Sequence, residues 1–179
     1  PLGVMTLCSK QPSAFYDDVR CTLQVMINQL STVLENARMY QRLKELATTD
    51  GLTGLANHRI FQEEFDKKLA SAARFGTKVS IIFCDVDKFK SVNDTYGHPV
   101  GDQVLKGLAA ILKRDVVRDT DLPARYGGEE FAIICEGTDT DGAIKLAERI
   151  RKDLEKDVFD TEQGKLRVTI SMGIATYPQ

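Results

Sequence analysis

Arg125-Tyr126-Gly127-Gly128-Glu129-Glu130-Phe131 is the stretch on which the fold turns. An apolar run, Phe131-Ala132-Ile133-Ile134-Cys135, follows it and reads as a buried strand. Leu122-Pro123-Ala124-Arg125-Tyr126 reads as the hairpin partner of that strand. Gly127 and Gly128 fall where the chain must reverse, and Gly-Gly tolerates positive φ at both central positions of a tight turn. A pair of carboxylates follows at once. Alternation along a strand sends Glu129 and Glu130 to opposite faces. Glycines that let a phosphate approach, beside carboxylates that can hold a metal, suggest nucleotide chemistry. A plain Gly-Gly hairpin with solvated glutamates fits these residues equally well.

Upstream, Val79 to Asp85 is a continuous apolar run that reads as a central strand, ending in the acids Asp85 and Asp87. Phe89 to His98 reads as an irregular polar connection. Asp102 begins a helix running to about Val117, with Val104, Leu105, Leu108, Ile111 and Leu112 inward. Downstream of the hairpin, Asp141 to about Leu154 is amphipathic and helical. Arg167 to Tyr177 alternates Val168, Ile170, Met172 and Ile174 and reads as a strand. The order β-α-β-β-α-β fits an α+β fold with a ferredoxin-like or palm-type sheet, antiparallel strands carrying helices on one face. In such a sheet the first strand lies beside the hairpin, so Asp85, Glu129 and Glu130 converge. Three carboxylates forced together repel unless a cation neutralises them. That convergence favours the functional reading of the hairpin over the plain one.

A second, separate signal precedes this part. From about Tyr16 to Ala47 no Pro or Gly interrupts a helical pattern. Val19, Leu23, Met26, Leu30, Val33, Ala37 and Tyr40 recur at 4,3 spacing, the seam of a coiled coil, and the seam then shifts to Met39, Leu43 and Leu46. The narrow seam predicts a parallel dimer through residues 16–47. Residues 1–9 read as a lone strand with no partner before it, so the chain is expected to begin inside a longer protein. Thr48 to Leu55 is a linker with turn chemistry. Asn57 can cap a helix from His58 to Arg74, with Ile60, Phe61, Phe65, Leu69 and Ala73 inward and Gly76 as its stop. The expected division is 1–14, 15–48 and 49–179.

Composition bounds the function. Of 179 residues, 42% are apolar, enough to bury a core, and the net charge of −2 argues against nucleic-acid coating. No apolar stretch approaches membrane-spanning length. Cys8, Cys21, Cys84 and Cys135 form no CxxC pair; Cys84 and Cys135 sit in strand-like runs as small hydrophobes. That usage suits a reducing cytoplasm.

Four motifs stand in order: Asp50-Gly-Leu-Thr-Gly-Leu-Ala-Asn57, Asp85-Val-Asp-Lys-Phe-Lys-Ser-Val-Asn-Asp94, Gly97-His-Pro-Val-Gly-Asp102 and Arg125-Tyr-Gly-Gly-Glu-Glu-Phe131. With them the chain, from about Thr49 to Pro178, resembles the GGDEF family of diguanylate cyclases. Residues 1–47 resemble, more weakly, the end of a GAF sensor domain and its signalling helix. The family resemblance implies condensation of two GTP into cyclic di-GMP with release of two pyrophosphates, between two domains that meet face to face. It implies Mg²⁺ or Mn²⁺ held by Asp85, the Val86 carbonyl and Glu129, with Glu130 beside them. It assigns Glu129 or Glu130 as the base. It sets Lys90, the Phe89 and Lys90 amides, and Gly127 and Gly128 at the phosphates. It places Asn93, His98 and Asp102 at the nucleoside. Arg118-Asp119-Thr120-Asp121 matches the family's RxxD inhibitory motif, and Arg149 falls where a further product-binding arginine often stands.

One departure is visible. The family usually continues past the last strand with a helix and a Gly-Arg-Asn segment whose Lys and Arg reach the triphosphate. The catalytic domain is therefore expected to be C-terminally incomplete here, and this segment weakly active or inactive. Two rival classes are a cyclic dinucleotide synthase that also accepts ATP and a non-catalytic cyclic di-GMP-binding module. The intact glycine-acid motif counts against the latter.

Overall fold

The computed structural model describes residues 6, 8–10, 16–116, 118–162 and 164–178, without the side chains at 18, 41, 42 and 44–47. The chain divides into two compact units, Pro1–Ala47 and Thr48–Gln179. The strand expected over 1–9 lies largely outside the described residues; Thr6, Cys8 and Ser9 are not in a strand.

The first unit is built on helix α1 (Asp17–Thr48). Its seam leaves Met26, Leu30, Val33 and Tyr40 at least half exposed, along with Met39 and Leu43 after the shift. Among the described residues no helix is long and apolar enough to cross a membrane.

The second unit carries α2 (His58–Phe75), β1 (Val79–Val86), α3 (Phe89–Tyr96), α4 (His98–Asp115), β2 (Leu122–Gly127), β3 (Glu130–Glu136), α5 (Thr140–Lys156), β4 (Phe159–Thr161), β5 (Gly164–Leu166) and β6 (Ile170–Tyr177). The sheet runs β2-β3-β1-β6, antiparallel throughout, which is the ferredoxin-like order the alternation of elements predicts. Strand period places Ile82, Cys84 and Val86 on one face with Phe131 and Ile133, packed with α4 and α5 residues such as Leu108 and Ile150. Helices do not keep to one face, where the predicted palm-type sheet has them; α2 covers the other face. There α2 lays Phe61 and Ala72 on Val79, Ala132 and Ile134. Fully burying a side chain such as Phe61 is worth about 2–3 kcal/mol. Cys84 and Cys135 are buried thiols in this core, both pushed by desolvation up to about 12.

Several boundaries differ from the sequence reading, each for a local reason. Phe89–Tyr96 is a helix because Phe89 and Val92, one turn apart, both bury against α4 and the sheet. Asp102 does not start α4. The helix begins at His98, where Pro99 suits the first turn, and Asp102 lies a turn further on. In α2, Ala72 is buried and Ala73 exposed. Arg167 to Thr169 lie outside β6, whose pairing with β1 begins at Ile170. The β4–β5 hairpin has no alternation long enough to predict it.

Candidate active site

The hairpin puts its carboxylates in unequal places. The turn is made by Gly128 and Glu129, not by the two glycines. Gly127 closes β2 and pairs with Glu130, across a register shift between Arg125 and Gly127. Only Gly128 takes a positive φ, at 32°. Glu129 is thereby lifted out of the strand alternation, while Glu130 stays in it. The shift falls at Tyr126, whose ring meets those of His58, Phe61 and Phe83 edge-on at 4.4, 5.6 and 5.0 Å. Arg125 braces the turn from inside. Its Nε and one terminal nitrogen donate to the Gly128 carbonyl at 3.0 and 2.8 Å, and its other terminal nitrogen donates to Asp50 at 3.1 and 3.2 Å.

Across the sheet, Asp85 stands directly opposite Glu130 in the β1–β3 ladder. Burial, then the nearby Glu129, then Asp87 push the Asp85 carboxyl above its ordinary value. Asp87 faces differently. Its carboxylate accepts from the Ser171 and Thr169 hydroxyls, each at 2.6 Å, and those bonds hold it below the usual range. Among the described residues, no three acidic, histidine or cysteine side chains stand close enough to hold a metal by themselves. A site here would draw on two or so carboxylates plus main-chain oxygen, such as the Val86 carbonyl.

Immediately beyond β1, α3 opens with no side-chain cap: its N-cap is Lys88, in a left-handed conformation at φ 56°. The first amides of α3, those of Phe89 and Lys90, are thus free of a capping side chain at the positive end of a helix. Lys90 is exposed in this first turn. Further along α3, the Asn93 Oδ1 is buried and has no hydrogen-bond partner. It lies against Gly101 of α4, where an added Cβ would fall 2.0 Å away. Asp102, next to Gly101, is exposed, and so is His98 at the start of α4. A buried acceptor without a donor costs about 1–3 kcal/mol, so this oxygen is a polar group that the fold leaves unsatisfied.

The structure brings Arg118, Asp121 and Arg149 together around a separate cavity of about 380 Å³, with Thr138 and Lys145 also in its wall. Arg118 donates to the Thr138 hydroxyl at 3.2 Å, and Arg149 to the Asp115 carbonyl at 2.6 Å. Asp121 accepts from the Glu136 amide at 3.1 Å. Burial raises the Asp121 carboxyl despite that amide and the neighbouring Arg118 and Lys68. Sequence reasoning assigned no role to Asp50, Gly101, Thr169 or Ser171. The signal for the last two was present, since hydroxyl residues two apart at the start of the final strand can reach the acid at the end of its neighbour.

The family model described as "Diguanylate cyclase, GGDEF domain" matches residues 47–179. Response regulator PleD of Caulobacter vibrioides is 44% identical over 133 residues, covering 73% of this chain and 29% of PleD. Diguanylate cyclase A of Treponema denticola is 37% identical over 181 residues, covering 98% of this chain and 47% of that protein. The chain therefore spans less than half the length of either. Among solved structures, the coiled coil and GGDEF domain of DgcB from Caulobacter crescentus, in complex with c-di-GMP, superposes with a TM-score of 0.76 at 31% identity, covering 87% of this chain and 83% of that one. The profile match, the identities and the superposition agree with the sheet order and the hairpin geometry: this chain belongs to the GGDEF family.

Proposed function

We propose that this chain carries the catalytic domain of a diguanylate cyclase, which joins two GTP molecules into cyclic di-GMP and releases two pyrophosphates. The observation that carries the reading is Asp85 facing Glu130, with Glu129 in the adjoining turn, at the strand end that leads into the uncapped start of α3.

The donor set fits Mg²⁺ or Mn²⁺. It offers hard oxygens, and a cation would favour the charged form of Asp85 that burial, then Glu129 and Asp87, disfavour. Asp85, the Val86 carbonyl and one of Glu129 and Glu130 would hold it, and the ion would supply charge neutralisation and acidify a hydroxyl. The chain's own groups do the rest. The Phe89 and Lys90 amides bind phosphate oxygens, and the Lys90 ammonium adds charge beside them. Gly127 and Gly128 let the triphosphate approach. Asn93 and Asp102 accept from the N1–H and N2 amino groups of guanine, with His98 beside the nucleoside. Adenine offers neither donor at that edge, so ATP leaves both acceptors unpaired. Glu129 or Glu130 takes the proton as the 3′ oxygen attacks the α-phosphorus and the bond to pyrophosphate breaks.

Each domain holds one GTP, so two copies must meet. The exposed apolar stripe of α1 supports a homodimer that raises the effective concentration of the two halves. Arg118, Asp121 and Arg149 form a site for the product: arginine forks suit its phosphates, and the carboxylate suits its guanine donors. Product bound there slows turnover. Access to GTP places this unit in the cytoplasm. The test is incubation of the full-length protein with GTP, or with ATP, in the presence of Mg²⁺, with the product identified by mass spectrometry. Cyclic di-GMP from GTP alone is expected, and Asp85→Asn should abolish it with the fold retained. A protein that binds GTP without converting it, or uses ATP equally, would refute the reading.

A further inference from the structure

Asp87 is the acid at the end of β1 that the proposed reaction leaves unused, and its surroundings set it apart from Asp85. Ser171 stands opposite Asp85 in the β1–β6 ladder, yet its hydroxyl donates to Asp87 at 2.6 Å. The Thr169 hydroxyl donates to the other Asp87 oxygen, also at 2.6 Å. The Asp87 amide in turn donates to the Thr169 carbonyl at 3.0 Å. One residue is thus clamped by main chain and by both carboxylate oxygens to Thr169, just before β6, and to Ser171 at the start of its pairing. The next residue is Lys88, the only non-glycine with positive φ among the described residues. A long side chain in the left-handed region is strained and persists only where its surroundings over-determine it. Lys88 is also the N-cap of α3, with no side chain of its own bonded there. Where the first α3 amides point therefore depends on Lys88, and Lys88 is held from the preceding residue.

We infer that Asp87 is a positioning residue: its clamp to Thr169 and Ser171 fixes the left-handed turn at Lys88 and so aims the Phe89 and Lys90 amides at the phosphate. The inference rests on the GTP reading of the site for its kinetic consequence, though the clamp is independent of it. A metal-ligand role for Asp87 makes the opposite predictions, because an amide substitutes poorly for a carboxylate at a hard cation but well for one between two hydroxyls. In Asp87→Asn the side-chain oxygen would accept from one hydroxyl and the NH₂ would donate to the other.

The experiment compares Asp87→Asn, Asp87→Ala, the double variant Thr169→Val/Ser171→Ala and Asp85→Asn in the full-length protein. Asp87→Ala and the double variant should raise KM for GTP about tenfold, with kcat and the Mg²⁺ requirement nearly unchanged, while Asp87→Asn stays close to wild type. Hydrogen exchange of the segment 86–92, read by mass spectrometry, should accelerate in Asp87→Ala and in the double variant, while 130–136 stays protected. Loss of turnover in Asp87→Asn equal to that in Asp85→Asn, or a shifted Mg²⁺ requirement, would overturn the inference. So would unchanged exchange over 86–92 in the double variant. If wild type makes no product from GTP, the function proposed above fails, and the exchange comparison still decides the clamp.

Discussion

Gly101→Ala tests how the nucleoside end of the site is built. Gly101 is buried in the first turns of α4, against α3. An added Cβ would fall 2.0 Å from Asn93 Oδ1, 3.1 Å from Asn93 Cγ and 3.1 Å from Phe89 Cζ. The first distance is far inside any real contact, so the Asn93 side chain must leave its place. Two effects act on stability in opposite directions. Replacing a helical glycine by alanine gains about 0.5–1 kcal/mol. Overpacking a close helix pair costs about 1–3 kcal/mol. The net loss is about 1 kcal/mol, too little to unfold a domain of ordinary stability. The effect on nucleotide is larger, because Asn93 Oδ1 is the acceptor assigned to guanine. Losing that pairing costs about 1–3 kcal/mol, or about fivefold to 150-fold in KM for GTP. Gly107→Ala is the matched control. Its Cβ would fall 2.5 Å from the Phe159 ring, in the core and away from the site, so it should lower Tm without moving KM. Steady-state KM for GTP, with Tm recorded for both variants, reads the difference. A folded Gly101→Ala enzyme with KM within about twofold of wild type would refute the reasoning, since either Asn93 does not need the space or it does not read the base.

Burial pushes the Asp50 carboxyl up, but its bonds from the Thr53 hydroxyl and amide and from Arg125 win, so its folded value lies below 3.8. That contribution is present above 3.8 and lost as pH falls through the lower folded value; Asp50→Asn should flatten the acid side of a Tm-against-pH curve, and an unchanged acid limb would show the pair to be idle. Arg125→Ala should lower both stability and turnover, costing about 2 kcal/mol in urea unfolding, because the Gly128 carbonyl loses its two donors. Leu30→Glu puts charge on the exposed stripe of α1 and should give monomers in sedimentation and depressed activity; a dimeric variant would show the seam to be misassigned. Arg118→Ala should weaken cyclic di-GMP binding at least about tenfold and relieve product inhibition, and binding equal to wild type would move the inhibitory site elsewhere.

The elements with strong periodicity were legible in the chain alone. The apolar runs of β1 and β3, the spacing in α4 and α5 and the unbroken pattern of α1 each carry their own signal, because side-chain period reports burial directly. Element order then named the sheet, and the sheet order set Asp85 beside the hairpin. Tertiary structure decided what depends on partners distant in sequence. The helix at Phe89–Tyr96 exists because Phe89 and Val92 find a core supplied by other segments, against a polar local sequence. The turn moved to Gly128-Glu129 because the register shift at Tyr126, whose ring packs on Phe61 and Phe83, uses one residue more on β2 than on β3. That single shift takes Glu129 out of the strand and leaves Glu130 in it, where alternation alone would set both in one strand on opposite faces. The unpaired Asn93 oxygen, the space at Gly101 and the hydroxyl clamp on Asp87 join residues up to 84 positions apart. No local pattern encodes such pairings, since only the folded sheet and its crossing helices bring those atoms within hydrogen-bonding or van der Waals reach.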